Sequence, residues 1–128
     1  MSNAQLVPVN GIHPTRGYAH AWRVGNLLFI SGQVAMNAQG ELVGRGEVGA
    51  QADQVFANLR TVLGAVGATF RDVVKLTTLC TDQVGIPKIR EARARALGDH
   101  TPASTLIVVA GLASPHYLLE IEAVAVIP

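Results

Sequence analysis

Changes of hydrophobic period along this chain leave few folds open to it. From Glu47, apolar residues recur at three- and four-residue steps (Val48, Ala52, Val55, Leu59, Val62, Leu63, Val66), the pattern of an amphipathic helix. Gly67 follows where a helix-terminating glycine belongs. Residues 73–81 switch to a β-branched run, Val-Val-Lys-Leu-Thr-Thr-Leu-Cys-Thr, which predicts a central strand. Residues 82–98 return to helical spacing, with Ile86, Ile89, Ala92, Ala96 and Leu97 on the buried face and an i,i+4 pair between Glu91 and Arg95. Upstream, residues 19–24 and 27–34 flank a tight turn at Gly25-Asn26 and predict a hairpin. Residues 5–16, broken by Pro8, Gly11 and Pro14, predict a short edge strand and then loop, and residues 36–46 a loop. Residues 104–112 and 117–127 supply two closing strands. The order β-β-β-α-β-α-β-β fits neither an alternating parallel fold nor an all-β one. It predicts an α+β layer, two helices on one face of a mostly antiparallel sheet.

That layer leaves one sheet face bare, and the composition says what should cover it. The chain has 128 residues, 49% of them hydrophobic and only 15% charged, against roughly 25% charged in typical soluble domains. We expect one domain over residues 1–128 whose apolar excess meets further copies of itself. A net charge of +1 is too small for a nucleic-acid footprint. No apolar run approaches the ~20 residues of a membrane span, and the N-terminus lacks the basic and apolar regions of a secretory signal. The lone Cys80 closes no intramolecular disulfide. The expectation is a cytoplasmic protein.

Candidate chemistry is sparse. Gly44-Arg45-Gly46-Glu47-Val48-Gly49 matches G-x-G-x-x-G, but no strand runs directly into it and Glu47 would oppose a phosphate. A loop entering a helix explains it better. His13, His20, His100 and His116 have no metal-ligand spacing. Cys80 reads as a small hydrophobe on a central strand. The basic stretch at residues 88–95 reads as a solvated helix face, without the aromatics that base stacking needs. Glu120 and Glu122 stand at period-two spacing on the last strand, so both carboxylates leave one face. A carboxylate so placed either lines a solvated edge or handles water and protons in a cleft.

Three segments together resemble the RidA (YjgF) family of reactive-intermediate deaminases. They are Gly17-Tyr18-Ala19-His20, Phe29-Ile30-Ser31-Gly32-Gln33, and Pro102-Ala103-Ser104 with Leu119-Glu120-Ile121-Glu122-Ala123. The resemblance implies a chorismate-mutase-like α+β fold, a homotrimer with a barrel core, small-molecule clefts between subunits, and hydrolysis of enamines and imines without metal or organic cofactor. It makes Glu120 the residue that holds the attacking water, and Tyr18, Ser31 and Gly32 cleft residues. One departure stands out. The archetypal motif has an arginine, which clamps the substrate carboxylate, where this chain has Ser104. A hydroxyl hydrogen bond is worth about 0.5–1.5 kcal/mol net against ~1.5–3 for one to a charged group. The resemblance therefore implies an altered substrate range, with Arg90 a candidate replacement cation. Leu106 stands where many members carry cysteine. Two alternatives stay open: a non-catalytic trimeric metabolite-binding or regulatory protein, and, more remotely, an endoribonuclease.

Overall fold

The computed structural model describes residues 3–128. Its elements follow the expected order: β1 (Ala4–Leu6), β2 (Ala21–Val24), β3 (Leu27–Gln33), α1 (Val48–Gly64), β4 (Val73–Cys80), α2 (Ile86–Leu97), β5 (Ala103–Val108) and β6 (Leu119–Val126). The strands form one six-stranded sheet in the order β1-β2-β3-β6-β4-β5. All neighbours are antiparallel except β4 and β5, which α2 connects in parallel. The fold is the expected α+β layer.

Strand β6 is central in space although last in sequence. Leu119, Ile121, Ala123 and Ala125 alternate on its buried face beneath the helices. Helix α1 lays Ala52, Val55, Leu59, Val62 and Leu63 into the same cluster, each larger aliphatic side chain contributing about 1.5–3 kcal/mol on burial. Cys80 packs there as the small hydrophobe expected, 1% exposed. After α1, Gly67 takes the left-handed conformation (φ 74°) and Ala68 N–H reaches back to Leu63 O at 3.0 Å, which closes the helix end. The glycines of 44–49 serve a turn into α1. Gly44 and Gly46 have φ of 75° and 72°, and a Cβ on Gly44 would meet the Ala50 Cβ at 2.8 Å.

Two features of the second helical stretch differ from expectation. The α-helix begins at Ile86, not Asp82, because Pro87 lacks an N–H and its ring would clash with the carbonyl four residues earlier. Residues Gln83–Gly85 form a short 3₁₀ turn instead, with the Asp82 carboxylate accepting from Val84 N–H. Arg95 pairs not with Glu91 but with Asp53 of α1, at 2.9 Å, so that charge links the helices.

Buried amides on α1 fix the chain around the sheet. Gln51, fully buried, donates from Nε2 to Gly44 O and His116 O, and its Oε1 accepts from Leu118 N–H. Asn58 donates to Val34 O and Met36 O beyond β3. The entry to β6 and the exit from β3 are thereby tied to one helix. The opposite sheet face is bare, as expected, with Trp22, Phe29 and Ile107 each about half exposed. Replacing Gln51 by Leu orphans three backbone groups at a cost of about 1–3 kcal/mol per buried group. We expect Gln51→Leu to lower unfolding free energy in urea by about 2 kcal/mol or more, and a loss under ~0.5 kcal/mol would show that Gln51 is no staple.

Candidate functional site

The ladder between β3 and β6 breaks at one place. Ile30 pairs with Ala123 and Gln33 with Ile121, so Ser31 and Gly32 together stand opposite Glu122 alone. This is a bulge, a device that bends a strand and re-aims its side chains. It lets Ile30 and Gln33 both face the core while Ser31 and Gly32 are half-buried. The Ser31 hydroxyl donates to Ala19 O at 2.6 Å, and Ser31 N–H donates to His20 O at 2.9 Å. Ser31 thus stitches the bulge to the segment before β2.

Glu120 lies over this bulge. A Cβ built on Gly32 would fall 2.1 Å from Glu120 Oε2 and 2.7 Å from its carboxyl carbon. Only glycine leaves room for the carboxylate there, and the φ of Gly32 is not in the left-handed region, so the requirement is one of space and not of backbone strain. Glu120 is half-buried, and its pKa is raised, first by burial and second by Glu122, two residues along on the same face. The Tyr18 phenol, close by, is also pushed up, by burial, then Glu120, then Tyr117. Tyr18 is 53% exposed. Glu120, Gly32, Ser31 and Tyr18 therefore form one cluster.

Ser104 and Arg90 form another. Ser104 pairs with Leu76 in the parallel β4–β5 ladder, so it shares the helix side of the sheet with Leu76, whereas Glu120 and Glu122 sit on the other side with Leu79 and Thr77. With Arg90, Arg93, His100 and Thr101, Ser104 lines a cavity of about 340 Å³ between α2 and the start of β5. Within one chain Ser104 does not stand beside Glu120. Leu106 also lies on the helix side, half-buried against the core.

Two sets of residues escaped the sequence reading. Arg93 shares the cavity with Arg90, and their i,i+3 spacing was the available signal. Gln33 and His20, which lie within the family segments but carry no role there, are buried and bonded to each other at 3.1 Å; strand alternation could not place Gln33 inside, because the bulge reverses the parity that assigns strand faces. Among the described residues no group of three or more His, Cys, Asp or Glu could hold a metal ion, and no helix is long and apolar enough to cross a membrane.

The chain is similar to known proteins over nearly its whole length. The family described as Endoribonuclease L-PSP matches residues 9–127. The chain is 32% identical to a protein of Dermatophagoides farinae named 2-iminobutanoate/2-iminopropanoate deaminase, over 89% of this chain and 88% of that one. The solved structure of RidA from an Antarctic Psychrobacter species superposes with a TM-score of 0.88 at 31% identity, covering 96% of this chain and 99% of the other. The chain belongs to the RidA family. A RutC family protein of Pyrococcus horikoshii is 35% identical over 91% of each chain, so RidA-type likeness spans nearly the whole sequence.

The raised pKa of Glu120 has a sign for stability. A carboxyl group whose folded value lies above its unfolded one favours folding below the unfolded value, and that contribution is lost as pH rises through the folded value. Glu120→Gln should therefore melt higher than the parent at pH 7, and the difference should vanish below about pH 4. Gly32→Ala should expel the carboxylate, so that Glu120 titrates nearer its ordinary range by carbon-13 NMR. An unmoved titration would show that the carboxylate does not rest on Gly32.

Proposed function

We propose that this protein is a cofactor-independent enamine and imine hydrolase of altered substrate range, working as a homotrimer whose clefts are completed between neighbouring copies. The observation that carries the reading is Glu120: a half-buried carboxylate of raised proton affinity, seated over Gly32 beside Tyr18. Hydrolysis of an imine adds water to the C=N carbon, and the carbinolamine then releases ammonia and leaves a carbonyl. Glu120 takes a proton from the attacking water and returns it to the departing nitrogen. A carboxylate whose pKa is moved toward neutrality is a better base and a better acid for that exchange than an ordinary one. Half-burial serves the same end, because fixed dipoles around a partly dry site act at lower dielectric than water.

The trimer is supported by the bare sheet face and by the edge strand β5, where Ile107 and Val108 are about half exposed; an apolar unpaired edge calls for a partner. A second copy is also what would bring the arginine-lined cavity of one chain toward the Glu120 cluster of another. In that arrangement Arg90 and Arg93 would hold the substrate anion that Ser104 holds poorly.

A second reading has its own observation. With Ser104 at the anion-clamp position, the clefts would bind a small metabolite without turning it over. Endoribonuclease activity, after the family's description, finds less support in a chain of net charge +1.

The deciding experiment is hydrolysis of a panel of imines generated in situ. We expect Glu120→Gln to lose about 10²-fold or more in kcat, and unchanged rates would overturn the enzymatic reading. Arg93→Ala should raise KM for carboxylate-bearing imines by roughly tenfold with kcat little changed, as for loss of one charge-assisted bond. A wild type that binds but converts none of the panel would establish the second reading.

A further inference from the structure

The buried polar atoms behind the Ser31–Gly32 bulge form a chain that serves both the His20 ring and the Ser31 carbonyl in only one protonation state of His20. His20 Nε2 lies 2.7 Å from His13 O. A carbonyl oxygen only accepts, so Nε2 carries the proton, and a neutral His20 ring then has a bare Nδ1. That atom lies 3.1 Å from Gln33 Nε2, which donates to it. The second N–H of the same amide goes to Ser31 O at 3.2 Å. Gln33 Oε1 is buried with no partner. The amide orientation is therefore set by the neutral ring. It could not be reversed without giving Ser31 O an oxygen for a neighbour.

We propose that His20 and Gln33 are positioning residues for Glu120, holding the Ser31–Gly32 bulge in the shape that seats its carboxylate only while His20 is neutral. The inference rests on the proposed function only for its catalytic consequence, since the coupling itself is structural. A proton arriving on Nδ1 turns that acceptor into a donor, opposite an NH₂ group. The amide relieves the clash by turning over, which gives the orphaned Oε1 a partner but takes the donor from Ser31 O. Protonation of His20 and satisfaction of the Ser31 carbonyl exclude one another. The Ser31–Gly32 peptide is the group between them, and the Glu120 carboxylate rests on it.

The surroundings make a proton on His20 consequential. His20 is 7% exposed and Gln33 1% exposed, so Gln33 has no solvent partner to substitute for the ring. The titratable groups facing the ring are His13, edge-on with ring centroids 4.8 Å apart, and Tyr18, edge-on at 6.3 Å. His13 resists sharing the charge, because burial and then His20 itself hold its pKa below the usual histidine range. Tyr18 in turn faces Glu120. The ring thus touches the site from two sides, through Gln33 beneath the bulge and through Tyr18 beside it.

The test uses nitrogen-15 NMR on the full-length protein in a Glu120→Gln background, which silences the carboxylate's own titration. Across a pH series, the Ser31 and Gly32 amide resonances should move in step with the His20 ring nitrogens wherever the ring gains its second proton. In a His20→Gln variant, whose amide can accept from Gln33 and donate to His13 O without titrating, those amide shifts should stay flat. An imidazole that remains neutral throughout, or bulge amides that stay still while it titrates, overturns the proposal. So do amides that still titrate in His20→Gln. None of these readouts needs a substrate, so a failed coupling is distinguishable from a failed hydrolase. In the Glu120-containing enzyme, His20→Gln should keep kcat at pH 8 within about twofold of wild type and shift the acid limb of its pH profile.

Discussion

Everything in this molecule is arranged around the alternation of strand β6. Its odd positions, Leu119 to Ala125, are closed beneath α1, and its even positions carry Glu120 and Glu122 to the opposite face. Side chains on a strand alternate without exception unless a bulge intervenes. Burying one set therefore obliges the other to stand on the uncovered face. The core dictates where the carboxylates go. Because β6 lies between β3 and β4, their backbone cannot shift to relieve the charge.

The neighbouring strand accommodates this with a single extra residue. Were β3 regular, Gly32 would fall on the core face with Leu28 and Ile30, and Gln33 would point outward. The bulge at Ser31–Gly32 restores Gln33 to the interior and presents a flat patch of backbone to Glu120. A half-buried acid on an open patch, with a second acid two residues away, costs stability, and groups perturbed in this way cluster at functional sites. Electrostatic cost of this kind marks a site better than any count of polar residues does. The same trade is visible in the apolar face nearby, which a lone chain leaves in water.

The second cluster follows a different logic. Ser104 and the α2 arginines meet because the parallel β4–β5 pair is joined by α2, which folds back over the strand it precedes. Sheet geometry puts this cavity and Glu120 on opposite sides of one layer. A ligand that engages both would have to reach from one copy of the chain to another.

How much of this was written in the residues can be judged element by element. The periods from Glu47 to Val66 and from Val73 to Thr81 specified helix and strand because 3.6-fold and two-fold spacing are incompatible. The pair Glu120 and Glu122 specified a shared face for the same reason, and the short motifs around Tyr18, Ser31 and Ser104 specified the family. Helix α2 starts four residues later than its apolar spacing suggests, since a helical pattern does not show where Pro87 forbids the ladder. The Asp53–Arg95 pair was invisible because interhelical distance is not a property of either helix. What the sequence by itself determined was periodicity, hence the layers and the face each side chain takes. Only the tertiary structure decided the bulge, the seating of Glu120 on Gly32, and the separation of Ser104 from Glu120. Those depend on register between strands distant in the chain, and register is fixed by packing of the whole core, not by any local run of residues.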